Sequence, residues 1–141
     1  MIIGFTGSRK GITLMQKQFV AQILKENQAT HVNHGDCVGA DESFHEISHN
    51  LQLSISVFPP DKSSLRAHCS PEGEGVLHPE EGFLKRNHRI VDSSDILIAC
   101  PESSKEQLRS GTWSTVRYAR KKGKRVLLVP AVYDIGKIKT S

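Results

Sequence analysis

The feature that most restricts the fold is a regular alternation of short apolar segments with segments of helical periodicity. Five apolar segments have the length and composition of strands: residues 2–5, 31–34, 53–58, 96–99 and 125–129. Between them, apolar residues recur at three- and four-residue spacing, which is typical of helices that bury one face. Strands that alternate with helices predict a parallel sheet. We therefore expect an α/β, Rossmann-like doubly wound fold of about five strands with helices on both faces.

The helix boundaries are indicated by local signals. Thr13 and Gln16 have the Thr-x-x-Gln spacing of a capping box, which predicts the start of the first helix. Further helices are predicted over residues 41–51 and 80–91, and from the Ser110-Gly111-Thr112 segment to Lys122. The polar stretch 61–78 is too long for a simple connection, which indicates a lid or a binding loop. No element is assigned to the tail, residues 131–141.

Length and composition set the class of protein. A chain of 141 residues matches one domain, and 37% hydrophobic with 24% charged residues excludes a disordered chain. No apolar run approaches the length of a membrane span, and no signal peptide is recognisable. Three cysteines do not indicate a disulfide framework. We expect a single cytoplasmic domain, residues 1–141, with no membrane association.

The positive charge is concentrated in one place. The net charge is +4, yet residues 117–125 carry six positive charges and no acid, which leaves −2 for the rest. Cations and a following Gly123 are typical of a helix C-terminus. We therefore interpret the cluster as helix-terminal charge rather than a nucleic-acid surface. Single-stranded DNA binding, with Trp113 and Tyr118 among the stacking residues, is the lesser alternative.

Three loops rich in Gly, Ser and Thr follow predicted strands, at residues 6–11, 35–41 and 100–112. With the strand order 3-2-1-4-5 they meet where the sheet reverses, which is where such sheets bind ligands. Ser110-Gly111-Thr112 begins a helix, and free amides there favour a phosphate, with Arg109 adding charge. The alternative is ordinary capping by Ser110 or Thr112, without a ligand.

The other two loops supply further candidates. Thr6-Gly7-Ser8-Arg9 is neither a Walker loop nor G-x-G-x-x-G, so the usual ATP and NAD modes are disfavoured. In the second loop, Gly35 and Asp36 precede Asp41. Asp36 is the candidate for a ribose contact or a catalytic base, whereas Asp41 is better explained by the following helix N-terminus.

The predicted third helix carries two more candidates. Arg86 is placed to reach an anionic ligand. Asn87, with Phe83 and Ile90, is predicted to be buried, where its amide needs partners from loop backbones. A solvated amphipathic helix is the alternative.

His45-Glu46-Ile47-Ser48-His49 matches H-E-x-x-H, the helix of zinc proteases. The spacing places both imidazoles on one helical face. The motif nevertheless lies away from the strand carboxyl ends, and the candidate third ligands occur at arbitrary spacings. These candidates are His68, Glu72 and His78. We therefore predict a solvated helix face, no metal site and no cofactor.

Four segments in this order carry a resemblance. They are GFTGSR (4–9), HGDCVGAD (34–41), KRNHRIVDSSDILIA (85–99) and RSGTWST (109–115). Over residues 1–129 the chain resembles the SLOG superfamily, which joins the DNA-processing protein A domain and the LOG phosphoribohydrolases. It looks like a small stand-alone bacterial or phage member. The resemblance implies a nucleotide-type ligand with its phosphate on Ser110-Gly111-Thr112, and a homo-oligomer.

The resemblance also shows one departure. LOG enzymes carry a catalytic Glu where this chain has Thr115, and a hydroxyl cannot replace a carboxylate in acid–base work. The leading hypothesis is therefore a sensor or sequestering protein for a nucleoside phosphate or an ADP-ribose- or NAD-derived molecule. The alternative is a nucleotide N-glycosidase acting on a nucleoside monophosphate. Asp36 is its candidate catalytic residue, with Asp95 or Glu102 as substitutes.

Overall fold

The strands and helices follow the predicted alternation in a computed structural model, which describes residues 1–103 and 105–131. The strands are β1 (Ile2–Gly7), β2 (His31–His34), β3 (Ser54–Val57), β4 (Ile96–Cys100) and β5 (Arg125–Leu128). The helices are α1 (Leu14–Glu26), α2 (Ala40–Asn50), α3 (Phe83–Asp92) and α4 (Gly111–Lys121). All strand pairs are parallel, in the order β3-β2-β1-β4-β5. The predicted Rossmann-like fold is confirmed.

The centre of the sheet is apolar on both faces because helices cover both. Every residue of β4 is buried, as expected for a strand with neighbours on each side. On one face, side chains of α1 and α2 such as Val20 and Phe44 join the core. On the other, Trp113 and Val116 of α4 pack with Val91 of α3. The reversal of strand order falls between β1 and β4, as predicted.

The signals at the helix ends are confirmed. Thr13 and Gln16 form the capping box of α1, with both reciprocal hydrogen bonds present. Ser110 caps α4 through a hydrogen bond from the Trp113 amide at 3.3 Å. Gly123 follows the helix with φ of 73°, the left-handed conformation that ends many helices. The basic segment therefore begins in the last turns of α4.

The third helix starts later than predicted. The prediction began at residue 80, but α3 begins at Phe83 because Glu81 is engaged elsewhere. The amide of Asp61 donates to the carbonyl of Glu81 at 2.9 Å, and Glu81 donates back to Pro59 at 3.3 Å. The prediction that Asn87 and Phe83 are the buried side chains beside Ile90 is also wrong. Both are half-buried, and Arg86 is the buried residue.

The segment 59–82, of which 61–78 was predicted to be a lid or binding loop, lies along β3. Isolated bridges join Glu72 to Ile55 and Leu77 to Val57, so this segment covers the open edge of the sheet. A short 3-10 turn, Ser63–Leu65, is its only helical element within the described residues. The predicted tail lies outside the described residues apart from Ala131. None of the described helices is long and apolar enough to cross a membrane.

Candidate functional site

Backbone hydrogen bonds tie the three glycine-containing loops together at the carboxyl edge of the sheet. The amide of Ser8 donates to the carbonyl of Cys100 at 3.2 Å, and Ala40 donates to Ser8 at 3.0 Å. Gly39 makes the second contact possible, because a Cβ there would overlap the backbone of Arg9. Its φ of 96° also favours glycine. The loops that follow β1, β2 and β4 therefore form one wall.

These loops enclose a cavity of about 760 Å³, a size typical of small-molecule sites. Eleven of the twelve ligand-binding residues predicted from the sequence line it. They are Thr6, Gly7, Ser8, Arg9, Gly35, Arg86, Asn87, Arg109, Ser110, Gly111 and Thr112. The predicted ligand-binding set lacked the cavity residues Lys10, Asp41 and Phe83, among others, and Glu102 had been named only as a substitute catalytic carboxylate. In the sequence, Phe83 is recognisable only as part of the apolar face of its helix, and Asp41 is interpreted as a residue of a helix N-terminus.

The first turn of α4 presents unused donors to the cavity. Thr112 is 7% exposed, lines the cavity, and has no hydrogen-bond partner for its hydroxyl among the described residues. The Gly111 and Thr112 amides lie in the first turn, where no earlier carbonyl of the helix can pair with them. A Cβ built on Gly111 meets no atom within 4 Å. The cavity therefore reaches the backbone at this helix end.

Arg86 has a different environment from the one predicted. It is 5% exposed, and its Nη1 donates to the carbonyls of Gly35 and, at 3.1 Å, Phe58. Its Nε donates to the Oδ1 of Asn87 at 2.7 Å, and the one hydrogen-bond partner of Nη2 among the described residues is the Cys37 sulfur at 3.7 Å. Most of its donors are therefore committed to the protein. Arg86 contributes buried positive charge to the cavity and only one weakly paired nitrogen.

Three more cations border the cavity. The Arg9 guanidinium lies 4.7 Å from the centre of the Phe83 ring and forms no ion pair within the part of the chain that the structure describes. Lys10 pairs with Glu102 at 2.9 Å, which joins the loop after β1 to the loop after β4. Arg109 is exposed and makes no ion pair among the described residues. The charge available to an anion is therefore that of Arg9 and Arg109.

Asp36, the predicted catalytic residue, is the one predicted residue that does not line the cavity. It is fully buried, and its carboxylate accepts hydrogen bonds from Arg66 Nε and from the Cys69 amide, each at 2.8 Å. The residue lies at φ of 55°, which turns its side chain toward segment 59–82. The structure therefore gives Asp36 a position in the framework and not one facing the cavity.

Asp41 is the carboxylate that does face the cavity. Its Oδ2 accepts the Cys37 amide at 3.1 Å, and the side chain is 7% exposed. Burial raises its pKa to about 6, although the nearby Arg86 opposes that shift. A carboxyl with such a pKa exchanges protons near neutral pH. The helix N-terminal role predicted for Asp41 is therefore incomplete.

Thr115, which the resemblance sets against the LOG glutamate, is buried in α4. Its hydroxyl donates to the carbonyl of Gly111 at 2.9 Å, and the residue is 2% exposed. It does not line the cavity. Trp113 is likewise buried, with its indole N–H donating to Ser103 at 3.3 Å, so it offers no stacking surface to DNA bases.

The H-E-x-x-H motif lies outside the cavity, and the structure partly overturns its interpretation as a solvated face. The Nε2 of His45 contacts Glu72 at 2.8 Å and the Nδ1 of His49 contacts it at 2.5 Å, but the side chain of His45 is only 15% exposed. Among the three candidate third ligands, Glu72 is therefore the one that reaches the motif. His78 stacks on Phe58 instead.

His34 extends this cluster into the core. Its Nδ1 accepts the Asp36 amide at 3.0 Å, and its Nε2 lies 2.9 Å from the Nδ1 of His45. Burial lowers the pKa of His34 to about 3, so the ring is neutral at physiological pH. Glu72 raises the pKa of the exposed His49 by accepting its hydrogen bond.

Comparisons with known proteins support the fold. No family model matches the chain, and a search of curated proteins finds no match. The structure is similar to the molybdenum cofactor binding protein from the phototrophic bacterium Rippkaea orientalis, with a TM-score of 0.68 at 23% identity. That alignment covers 92% of this chain and 76% of the other. It is also similar to TM1055, a structural genomics target (TM-score 0.62, 12% identity, 89% of this chain and 71% of the other).

Proposed function

We propose that this protein binds a nucleotide or nucleotide-derived molecule in the cavity at the carboxyl edge of the sheet. The observation that carries the proposal is the first turn of α4. It combines first-turn amides that have no earlier helical carbonyl to pair with and the hydroxyl of the mostly buried Thr112, at the wall of a cavity large enough for a nucleotide. An anionic group fits this helix end, because its amides are free to donate and Gly111 leaves the backbone open to the cavity.

The surrounding charges support a phosphate at this position. Arg109 lies next to the helix start without an ion pair among the described residues, and Arg9 stands across the cavity. A guanidinium adds a charge-assisted hydrogen bond to phosphate. The half-buried Phe83 ring offers an apolar surface for the heterocycle of the ligand. The ligand we propose is thus a phosphate ester of a flat heterocycle.

The similar structures favour the same broad class. One of them is described as a molybdenum cofactor binding protein, which is a small-molecule binder. We therefore include phosphorylated pterins beside nucleoside phosphates, ADP-ribose and NAD in the candidate set. The chain has Thr115 in place of the LOG glutamate, so that carboxylate is missing, and the Thr115 hydroxyl is hydrogen-bonded within α4. We propose a role in sensing or sequestering the ligand, in the cytoplasm and as a homo-oligomer.

Gly111 allows a sharp test. Isothermal titration with AMP, ADP-ribose, NAD and a phosphorylated pterin should identify a binder. In Gly111→Ala the new methyl group projects into empty space, so folding is preserved while the approach of the phosphate to the backbone is blocked. We expect the affinity to fall at least tenfold, about the loss of one charge-assisted hydrogen bond.

Gly82→Ala is the matched control. Gly82 precedes α3 as Gly111 begins α4, and its added Cβ would meet only Asp61 at an ordinary 3.8 Å. Because Gly82 does not line the cavity, Gly82→Ala should bind the ligand with the same affinity as the wild type. Equal affinities in both variants would place the ligand elsewhere. No binding of any candidate at millimolar concentration would refute the proposal.

A second candidate function, an N-glycosidase acting on a nucleoside monophosphate, is favoured by Asp41. This is the carboxylate whose position and raised pKa suit general acid–base catalysis in the cavity. Incubation with nucleoside monophosphates should then release free base, with a rate that rises through about pH 6 if the ionised form acts. Asp41→Asn should abolish release while binding persists. Undiminished release in that variant would exclude Asp41.

A further inference from the structure

Three side chains that are common zinc ligands converge outside the cavity. One nitrogen each of His34 and His45 and the sulfur of Cys69 all lie within 4.8 Å of one another. They come from three separate parts of the chain: the end of β2, the second turn of α2, and segment 59–82. Tertiary folding therefore brings together ligands that no sequence motif connects.

We propose that His34, His45 and Cys69 form a zinc site. Zinc binds imidazole nitrogen at roughly 2.0–2.1 Å and thiolate sulfur at roughly 2.3 Å, so tetrahedral ligand atoms lie roughly 3.3–3.6 Å apart. The two nitrogens are 2.9 Å apart, so they must separate by a few tenths of an ångström. One thiolate with two imidazoles favours zinc over magnesium or calcium. Three protein ligands leave a fourth position for water.

Glu72 occupies the position of an outer-shell partner. It accepts a hydrogen bond from the Nε2 of His45 at 2.8 Å, which leaves the Nδ1 lone pair of that ring facing the site. Metal-binding histidines usually donate their other nitrogen to such a carboxylate. Glu72 also holds His49, and this assigns the second histidine of the motif to the outer shell instead of the metal.

Metal binding moves two protons. The thiol proton of Cys69 leaves to solvent when sulfur binds the ion. The Asp36 amide now donates to Nδ1 of His34, which places the ring proton on Nε2. That proton must shift to Nδ1 when Nε2 binds zinc, so the Asp36 amide turns away from the ring. The net release is one proton, and the affinity should rise about tenfold per pH unit.

The site would fasten segment 59–82 to the body of the protein. Cys69 and Glu72 both belong to that segment, whereas His34 and His45 belong to β2 and α2. A bound metal links them directly, and stabilisation follows from the metal's preference for the folded state. We expect zinc to raise the melting temperature of the full chain, and a chelator to reverse the rise.

Cobalt(II) is the spectroscopic probe. Titrating the chelator-treated full chain with Co²⁺ alone should give visible bands of a tetrahedral ion and a near-ultraviolet thiolate-to-cobalt band, both displaced by Zn²⁺. Cys69→Ser should lose the near-ultraviolet band. Cys100→Ala, which changes another buried cysteine, should keep it.

Two histidine variants separate this site from the motif. His45→Gln should weaken cobalt binding at least tenfold, whereas His49→Gln should change it less, because His49 bonds to Glu72 and not to one of the three proposed ligands. Glu72→Gln should weaken binding roughly 10- to 100-fold as an outer-shell change. Circular dichroism verifies that each variant is folded.

Three results would overturn the assignment. They are the absence of a thiolate-to-cobalt band at stoichiometric metal, its persistence in Cys69→Ser, and a larger loss in His49→Gln than in His45→Gln. The last result would restore a site built on the motif itself. None of these measurements depends on the ligand of the cavity, so the zinc proposal and the proposed function stand or fall separately.

Discussion

The chain from the end of β2 into the first turn of α2 carries two buried carboxylates with different surroundings. On the face toward segment 59–82, Asp36 is fully buried and bonded to Arg66 and to the Cys69 amide. On the face toward the cavity, Asp41 is also buried but borders empty space. The two carboxylates are five residues apart. The comparison teaches that the Asp36 carboxylate is held by a charged side chain and an amide, whereas the Asp41 carboxylate has one amide partner and borders the cavity.

The cluster of His34, His45 and Glu72 differs from the first turn of α4 in how far its polar groups are paired within the protein. The histidine cluster uses its ring nitrogens in a chain from the Asp36 amide through His34 and His45 to Glu72. The first turn of α4 leaves the hydroxyl of Thr112 without a partner among the described residues. Among the described residues the one buried side-chain polar atom without a partner is the Ser48 hydroxyl, so the Thr112 hydroxyl borders the open cavity and is not sealed in protein.

The largest effect is expected at Asp36. Asp36→Ala removes the buried partner of the Arg66 guanidinium, whose side chain is only 14% exposed. The free energy of unfolding should therefore fall by about 3–5 kcal/mol. Urea unfolding measures the change. Asp41→Asn at pH 7 should not lose stability, because the neutral amide avoids the cost of a buried ionised carboxylate and its oxygen still accepts the Cys37 amide. A larger loss in Asp41→Asn would reverse the contrast between the two faces.

The next effect is the pH dependence that Asp41 confers. Its pKa is about 6 in the folded protein against 3.8 unfolded, so the folded state binds the proton more tightly. Stability from this group is present below pH 3.8 and is lost as the pH rises toward 6. The wild type should therefore lose about 3 kcal/mol relative to Asp41→Asn over that window. Parallel stability curves for the two proteins would show that Asp41 is not desolvated.

A smaller effect is expected at the cavity rim. Arg109→Ala removes a cation without an ion pair in the described structure, and ligand affinity should fall about tenfold. The loss should shrink as salt increases, because the charge is exposed. Arg125→Ala is the control, since it removes an exposed cation where β5 begins, at the opposite edge of the sheet. Titration calorimetry at two salt concentrations compares them, and equal losses would indicate a diffuse charge effect.

The smallest effect is expected for the ion pair across the mouth of the cavity. Lys10 and Glu102 are exposed by 78% and 56%, so solvent screens their attraction. Glu102→Gln should change the free energy of unfolding by less than about 1 kcal/mol. A clearly larger change in thermal or urea unfolding would mean that this pair organises the two loops.

Much of the fold was predictable from the sequence because its signals are local. Apolar segments of strand length, the Thr13 capping box and Gly123 act within a few residues of the elements they define. The late start of α3 was not predictable. It depends on hydrogen bonds between Glu81 and residues 59–61, about twenty positions away in the sequence.

The candidate site was predictable in outline for a related reason. Parallel strands bring the loops at their carboxyl ends to one edge, so eleven predicted residues line one cavity. This rule did not predict that Asp41, and not Asp36, faces the cavity. Loop membership is a local property, whereas the direction of each side chain depends on contacts with Arg66, Cys69 and Arg86.

The sequence by itself determined the order of strands and helices, the start of α1, both ends of α4, and the set of loops that meet at the switch point. Tertiary structure alone decided which carboxylate faces the cavity. It also decided that Arg86 donates to backbone carbonyls and that His45 lies beside His34 and Cys69. The physical reason is the separation along the chain over which each kind of interaction acts. Backbone geometry and apolar periodicity act along the chain, but burial, desolvation and ligand convergence exist only between segments that folding brings together.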